Sequence, residues 1–515
     1  MSSKISIDLF KMARFTNLAI PVLAIAFYLA GHFFSFYFHF LTVFFLFLTI
    51  INFFYRHVQK THALLKNFGI MGQARYMMES IGPELRQYFF ASDTEELPFN
   101  REERSEVYRK AKNVDSASSF GSQKMFDATE IKIRHSMYPT AKENIKPYSV
   151  TFGEERGIQN LHTFTRPITI SAMSYGALSQ NAVRSLARGA KAARISMNTG
   201  EGGYPKYHLM EGCDLIFQLG TAKFGVRHED GTLDEEKLRK VASEDAIKMI
   251  EIKLSQGAKP GKGGLLPKEK ITDEISELRG VPKGADVISP TNHVECTDAT
   301  TTVQFIKTIQ DVSQLPVGIK LCVGSLDEFR KLVVEMKTLG IFPDYISVDG
   351  AEGGTGAAPK AFMDNYGMPL FPALHGVVTI LKEEGVRDRL KVMAAGKLIG
   401  PGRQMIAYCL GADAIYSARG FMLTLGCIQA LQCGNNTCPV GITTHDPELQ
   451  GGVVIEDKAQ RVENYVENVE HDFYQLLAAT GKTSVQELSS SNLYIPSGTT
   501  LAEFTQSGAA FDKAR

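Results

Sequence analysis

From Asn17 to Phe54 the chain is almost wholly apolar and aromatic, with His32 and His39 near the middle and no Asp, Glu, Lys or Arg. One transmembrane helix needs ~20 such residues, so this run is long enough for two. Ser35-Phe36-Tyr37, flanked by the histidines, reads as a turn between spans at 17–34 and 38–54. Lys4, Lys11 and Arg14 precede the first span, and Arg56, Lys60 and Lys66 follow the second. Under the positive-inside rule both ends are then cytoplasmic, with the bulk of the chain in the cytosol. A cleaved signal peptide would have a shorter apolar core and a small-residue cleavage site, and neither is found. Residues 1–58 are therefore expected to form a membrane hairpin.

The pattern turns mixed and charged over residues 59–150, with helical stretches predicted at Gly72–Ser80, Pro83–Phe90 and Arg101–Ala111 and a serine-rich loop at Ser116–Ser122. This region reads as a helical connector that packs on the main domain. From about 165 it changes again, to short apolar runs alternating with helical periodicity. The runs are Pro167–Ala172, Arg194–Asn198, Lys248–Leu254, Asp286–Ser289, Val317–Cys322, Tyr345–Asp349, Leu390–Ala395 and Ala414–Ala418. Segments such as Ala182–Ala193, Leu326–Leu339 and Gly402–Leu410 read as helices. Eight strands alternating with helices predict an α/β fold, a (β/α)8 TIM barrel, over residues 151–445. Leu215–Leu219 follows a Gly-rich loop without an intervening helix and is read as an insertion. Residues 446–515 read as a helical tail centred on Ala459–Ala478 and ending in polar residues.

Composition narrows the partners. The 515 residues include 56 basic and 56 acidic ones, so no global field favours nucleic acid. Seven cysteines in a chain of this size make no secreted disulfide framework. Three of them, Cys427, Cys433 and Cys438, form a C-x5-C-x4-C array followed by Pro439. Thiolates this dense in one loop suit an iron–sulfur cluster, whereas zinc would normally take four ligands, often in C-x2-C pairs. Three ligands suggest a [3Fe–4S] cluster; a fourth, non-cysteine ligand would make it [4Fe–4S]. Cys213, Cys296, Cys322 and Cys409 are scattered and read as small core residues.

Active groups of a barrel collect at the C-terminal ends of its strands. Here those ends carry Ser171–Ser179, Asn198–Gly203, Gln256–Gly264, Asp349–Gly356 and Ala394–Lys397, nearly all glycine-rich. Such loops let the backbone approach a large planar ligand and turn N–H groups toward phosphate. The Met173-Ser174-Tyr175-Gly176 opening, Asn-Thr-Gly-Glu-Gly-Gly, Gln-Gly-Ala-Lys-Pro-Gly, Ile288-Ser289-Pro290, Gly353-Gly354-Thr355-Gly356 and the cysteine loop together resemble the FMN-binding synthase domain of glutamate synthases, from about Ile168 to Asp446. The chain looks most like shorter members in which a membrane hairpin precedes the barrel.

The resemblance implies an FMN barrel beside a [3Fe–4S] cluster that reduces 2-iminoglutarate, formed from 2-oxoglutarate and ammonia, to glutamate. It places Met173, Ser174, Gly176 and Thr199 beside the isoalloxazine and Lys320 near its N1–O2 edge, where a cation stabilises the anionic reduced ring. It brings Gly353, Gly354, Gly396 and Gly420 to the phosphate, helped by Lys397 or Arg419. Lys223 and Lys259 are candidates for the substrate carboxylates, which need cationic partners. Three departures bear on substrate identity: Lys262 stands where the family usually has an acid, Leu265 where it has Gln, and Lys223 where it has Arg, losing a bidentate fork. Met1-Ser2-Ser3 leads straight toward the apolar run, so no glutaminase activity is expected on this chain, ammonia would come from solution or from a separate glutaminase subunit, and no NAD(P)H-binding module is recognisable. Electrons would come from an external donor, ferredoxin or similar, or from a reductase subunit. Alternative readings are an N-methylglutamate synthase-type or other FMN-barrel reaction, or a membrane redox carrier without amino-acid turnover.

Overall fold

The computed structural model describes residues 2–114, 117–122 and 131–495. Ser116 of the predicted loop and the polar end of the predicted tail lie outside the described residues. The chain forms two compact units, residues 1–101 and 102–515.

In the first unit α1 (Ser2–Phe33) and α2 (Phe38–Phe53) form an antiparallel hairpin, and α2 runs on into a π-helical turn, Phe54–Val58. The turn falls at the predicted place, with Phe38 N donating to Ser35 O at 3.1 Å. Phe27 stacks on Phe45 across the pair with ring centroids 5.4 Å apart. Arg14–Phe33 and Phe38–Val58 are long and apolar enough to cross a membrane, by length and composition. α3 (Ala63–Phe68) follows, then α4 (Gly72–Leu85), which passes through Pro83 into a second π-helical turn, Arg86–Phe90. The two helical stretches predicted here are thus one. Pro83 forfeits one backbone hydrogen bond, and Glu79, whose carbonyl loses that partner, is exposed to solvent.

The second unit begins within the helix Arg101–Ala111, at Glu102, so the predicted connector is divided between the units. Lys110 of this helix pairs with Asp472, and its carbonyl accepts from Asn468 Nδ2 at 3.0 Å. A hairpin of Val150–Phe152 and His162–Phe164 sits at the N-terminal end of the barrel, with the Phe152 ring 5.5 Å from that of Tyr345.

The barrel is closed and wholly parallel. Its strands are β1 (Ile168–Ile170), β2 (Met197–Asn198), β3 (Leu215–Leu219), β4 (Ile247–Lys253), β5 (Val317–Leu321), β6 (Tyr345–Asp349), β7 (Lys391–Ala395) and β8 (Ala414–Ser417), in chain order around the ring with β8 closing on β1. Every residue of β3, β5, β6 and β8 is buried, as a sheet covered on its outer face requires. Connecting helices start at side-chain caps: Ser179 accepts from Ala182 N and Ser325 from Glu328 N. The long helix Ile455–Ala479 packs on Gln180–Ala193, where Arg188 pairs with Glu456 at 2.7 Å.

Two strand assignments need correction. Leu215–Leu219 is the third barrel strand, not an insertion; its crossover from β2 holds only the short helix Lys206–Leu209. A parallel crossover needs about a dozen residues, usually but not necessarily a full helix. Asp286–Ser289 is no barrel strand: Val287–Ile288 pairs antiparallel with Leu265–Leu266 outside the ring, and Ile288 is 66% exposed.

Candidate active site

The C-terminal mouth of the barrel is built on a buried polar layer. Glu251, one turn of the pleat below Lys253 on β4, accepts from Asn198 Nδ2 at 2.8 Å and Gln218 Nε2 at 2.7 Å. Burial pushes its carboxyl above the usual range, against the opposing pull of Lys320, Gln218, Asn198 and Tyr416. Lys253 and Lys320 are register partners on β4 and β5 and so point to the same side of the sheet. Lys320 Nζ lies 3.6 Å from Asp349 Oδ2 at the end of β6. Burial alone would lower the Lys320 ammonium, but Asp349, Glu251 and Glu201 raise it above its ordinary value. Lys320 is thus a buried, firmly charged cation in the barrel mouth.

Beside it, Lys253 pairs with Glu201 and donates to Gln256 Oε1 at 2.7 Å. Burial opposes ionisation of Glu201, yet Lys253, Lys259 and Arg279 together hold its carboxyl below the usual range. Lys259 is 4% exposed and donates to Ala357 O at 2.9 Å. Its ammonium is pushed down to about 8, first by burial and then by Lys253, with Lys262 adding to the effect and Glu201 opposing it. Arg279 donates from Nη2 to Tyr175 O at 3.1 Å, its Nε is buried without a partner, and burial lowers it to about 10. Gly257 joins this wall to β6: its N–H donates to Asp349 Oδ2 at 2.9 Å, and a Cβ there would sit 1.8 Å from Gly350 O, so only glycine fits.

The flavin-face residues predicted on β1 and β2 occupy the same mouth. Met173 is buried and its carbonyl accepts from His208 Nε2 at 3.2 Å. Ser174 O accepts from Leu178 N, and Gly176 O from His445 Nε2 at 3.0 Å. Thr199 Oγ1 accepts from Gln218 N at 3.2 Å. Across the mouth, Lys397, Arg403 and Arg419 surround Glu352, whose carbonyl accepts from Arg419 Nη2 and whose carboxylate lies 3.8 Å from Arg403. Burial lowers Lys397, and Arg419 and Arg403 lower it further. A Cβ on Gly354 would stand 2.9 Å from the Arg419 side chain, and one on Gly420 would stand 2.7 Å from the hydroxyls of Ser417 and Tyr465. A Cβ on Gly353 would be tight, 3.1 Å from Gly350 O, and Gly396 stands against Leu370 and Glu352. Three cations that oppose one another beside bare backbone form a cradle suited to a phosphate.

Cys427, Cys433 and Cys438 are free thiols. Among the described residues no three His, Cys, Asp or Glu side chains converge closely enough to hold a metal ion. The three thiols nonetheless share one short loop, and thiol is the donor type an iron–sulfur cluster takes. Burial pushes Cys427 up to about 11, and Cys433 and Cys438 push it further the same way. Burial would raise Cys438 too, but the Thr443 hydroxyl and the N–H groups of Thr443, Val440 and Ile442 hold it below its ordinary value. Lys270, 2% exposed, ties this loop to the one that follows β1 by donating to Ala177 O at 2.6 Å and Cys433 O at 3.3 Å.

Lys223 has a different setting from Lys259. It is fully buried at φ +48°, with Nζ 2.8 Å from Glu295 Oε2 and 3.4 Å from Gly231 O. An internal carboxylate therefore already occupies it. Of the departures, Lys262 lies over the Phe362 ring at 5.6 Å, and Leu265 is taken up in the small hairpin with Ile288. Glu201, Lys253, Glu251, Asp349, Arg279, Arg403 and Lys270 were not singled out from the sequence. Glu201 and Asp349 sit inside glycine-rich motifs that could have flagged them; Arg279 and Lys270 lie in a stretch without any motif and are brought in by folding alone.

A closed parallel barrel with buried cations, glycine turns and a three-cysteine loop at its C-terminal mouth defines a TIM-barrel protein whose buried charges are gathered at that end. Residues 101–483 match the family model described as the conserved region in glutamate synthase, and the chain belongs to the glutamate synthase family, a family of oxidoreductases. It is 38% identical over 464 residues to a glutamate synthase large subunit-like protein, YerD, of Bacillus subtilis (strain 168), covering 83% of this chain and 88% of that one. It is 37% identical over 322 residues to an archaeal glutamate synthase (NADPH) of Methanocaldococcus jannaschii and 36% identical over 325 residues to an archaeal-type glutamate synthase (NADPH) of Thermotoga maritima. Each of those matches covers 62% of this chain, and 60% and 61% of the respective relative. Among solved structures, a mutant flavocytochrome b2 with pyruvate bound overlays with a TM-score of 0.44 at 15% identity, covering 81% of this chain and 85% of that one. So loose an overlay says nothing of the chemistry.

Proposed function

We propose that this chain is a membrane-tethered oxidoreductase of the glutamate synthase type, reducing 2-iminoglutarate or a related imino acid to the amino acid. The observation that supports this most is the group of buried cations, Lys253, Lys259 and Arg279, gathered around Glu201 at the mouth next to Lys320. Such a group is costly to bury unless anions complete it, and one internal carboxylate does not balance three cations. A dicarboxylate substrate would. In this reading Lys259 and Arg279 take the substrate carboxylates, while Glu201 and Gln256 hold Lys253 in place. Lys223, engaged by Glu295, contributes only if it exchanges that partner.

FMN, when bound, would supply the hydride and a [3Fe–4S] cluster the single-electron relay. Met173, Ser174, Gly176 and Thr199 would line the ring, with Lys320 at its N1–O2 edge. Gly353, Gly354, Gly396 and Gly420 would hold the phosphate together with Lys397, Arg403 and Arg419. Cys427, Cys433 and Cys438 would ligate the cluster, with Lys270 holding their loop against the one that follows β1. Electrons would enter from an external donor, ferredoxin or a reductase subunit, and ammonia from solution or from a separate glutaminase. The hairpin would cross the membrane twice, leaving both ends and the barrel in the cytosol.

The test is rapid-mixing absorbance of the anaerobically reduced protein against 2-oxoglutarate with ammonium. Flavin reoxidation with stoichiometric glutamate is expected. A flavin that stays reduced with this pair, but reoxidises with methylamine or another 2-oxo acid, would redirect the substrate assignment. No reoxidation by any imino acid would leave a redox carrier and sink the synthase reading.

A further inference from the structure

α4 and the π-helical turn after it carry an apolar stripe whose side chains, the half-buried Leu85 apart, are exposed. Met77, Met78, Ile81, Leu85, Tyr88 and Phe89 recur at three- and four-residue spacing and so share one helix face. Met77 is 53% exposed and Phe89 75%. Charged residues flank the stripe rather than interrupt it, and the pair Arg75–Glu79, 2.6 Å apart, lies along one edge. An amphipathic helix with aromatic and methionine side chains open to solvent is incomplete without a partner.

The start of α4 bears on what that partner is. The turn Gly69–Met71 is fastened to both helices of the hairpin at its open end. Asn52 Oδ1 near the end of α2 accepts from Ile70 N at 2.8 Å, and Thr16 Oγ1 on α1 is 3.0 Å from Met71 Sδ. Gly69 has φ +59°, and a Cβ there would lie 2.0 Å from Asn52 Oδ1, so this fastening admits glycine only. Thr16 immediately precedes the uncharged run and Asn52 falls within its last turn, which puts the first residue of α4 at the boundary of the apolar spans. Arg56, Lys60 and Lys66 lie in the same short stretch of chain, complementary in charge to anionic headgroups.

We propose that residues 72–90 lie along the cytoplasmic face of the bilayer, with the Met77–Phe89 stripe sunk into the headgroup and acyl boundary. This rests on the reading of α1 and α2 as membrane spans. Helices of this kind bury their apolar face roughly 5–10 Å into that boundary, and aromatic rings favour the same depth. The barrel would then be carried by an in-plane element as well as by the hairpin.

The chain contains no tryptophan, so a single introduced one is an unambiguous reporter in the full-length protein. Phe89→Trp and, separately, Phe44→Trp in α2 are reconstituted into nanodiscs of brominated lipids, with flavin absorbance as the check that each variant folds; Tyr88→Trp replaces the first if it does not. The expected result is loss of most of the Phe89→Trp emission with bromines near the headgroup, and of the Phe44→Trp emission with bromines deep in the acyl chains. Quenching at position 44 but not at 89 would overturn this proposal and leave the spans intact, whether the reporter at 89 is open to iodide or shielded by protein. Quenching at neither position would overturn the membrane reading itself, and this proposal with it.

Discussion

Lys259 shows how much one side chain's setting decides. A lysine held down to about 8 is charged at neutral pH and largely neutral one unit above that value. Its folded pKa lies below its unfolded one, so its burial costs stability at neutral pH, and that cost is relieved as pH rises from about 8 toward the unfolded value. Binding runs the opposite way, because a carboxylate needs the ammonium form. Calorimetric titration with 2-oxoglutarate should therefore show affinity falling through pH 8, by up to roughly tenfold per unit beyond it. Lys259→Arg should remove that break, and a flat wild-type profile would exclude Lys259 from the carboxylate site. At this scale Glu201 and Asp349 were passed over inside their glycine-rich motifs, whereas Lys259, Lys320 and the three cysteines were singled out from local sequence. Arg279 and Lys270 were not, because nothing local distinguishes them from solvated side chains. Only the fold brings Arg279 beside Glu201 and Lys270 beside Cys433.

Among elements, β3 and the strand pair near residue 288 make the sharpest contrast. Both Leu215–Leu219 and Asp286–Ser289 are short apolar runs, and periodicity cannot tell a barrel strand from an outlying hairpin. Length of connection misled as well, since the β2–β3 crossover is held by loop and one short helix. The consequence is measurable by chemical denaturation. Phe217, 1% exposed inside β3, should cost about 3–5 kcal/mol when changed to Ala. Ile288→Ala, on an exposed strand, should stay within about 0.5 kcal/mol of wild type. Equal effects at the two sites would contradict the placement of Leu215–Leu219 inside the ring and Val287–Ile288 outside it. The helices were easier: Leu326–Leu339 and Arg101–Ala111 coincide with the predicted ranges, because an amphipathic repeat is a local property, sharpened in the first by its Ser325 cap.

At the scale of the whole molecule, a hairpin whose residues 17–54 carry no charged side chain and a barrel with a polar, charged exterior are joined in one chain. The hairpin's outward faces are exposed, with Leu18 at 71% and Phe40 at 67%, which water does not tolerate over such an area. The full-length chain should accordingly remain in the membrane pellet through alkaline carbonate and leave it only with detergent. Release by carbonate alone would mean that the hairpin does not cross the bilayer.

The primary structure determined the hairpin, the α/β class, the glycine turns and the cysteine loop, all of which rest on spacing within a few dozen residues. Tertiary structure decided which apolar run became the third strand, how Lys223 was taken by Glu295 while Lys259 donates to a backbone carbonyl, and how Lys253, Lys259 and Arg279 came to surround Glu201. Those outcomes depend on closing the ring of strands. Closure brings residues far apart in the chain into a low-dielectric space, where each charge is set by its neighbours and not by its place in the sequence.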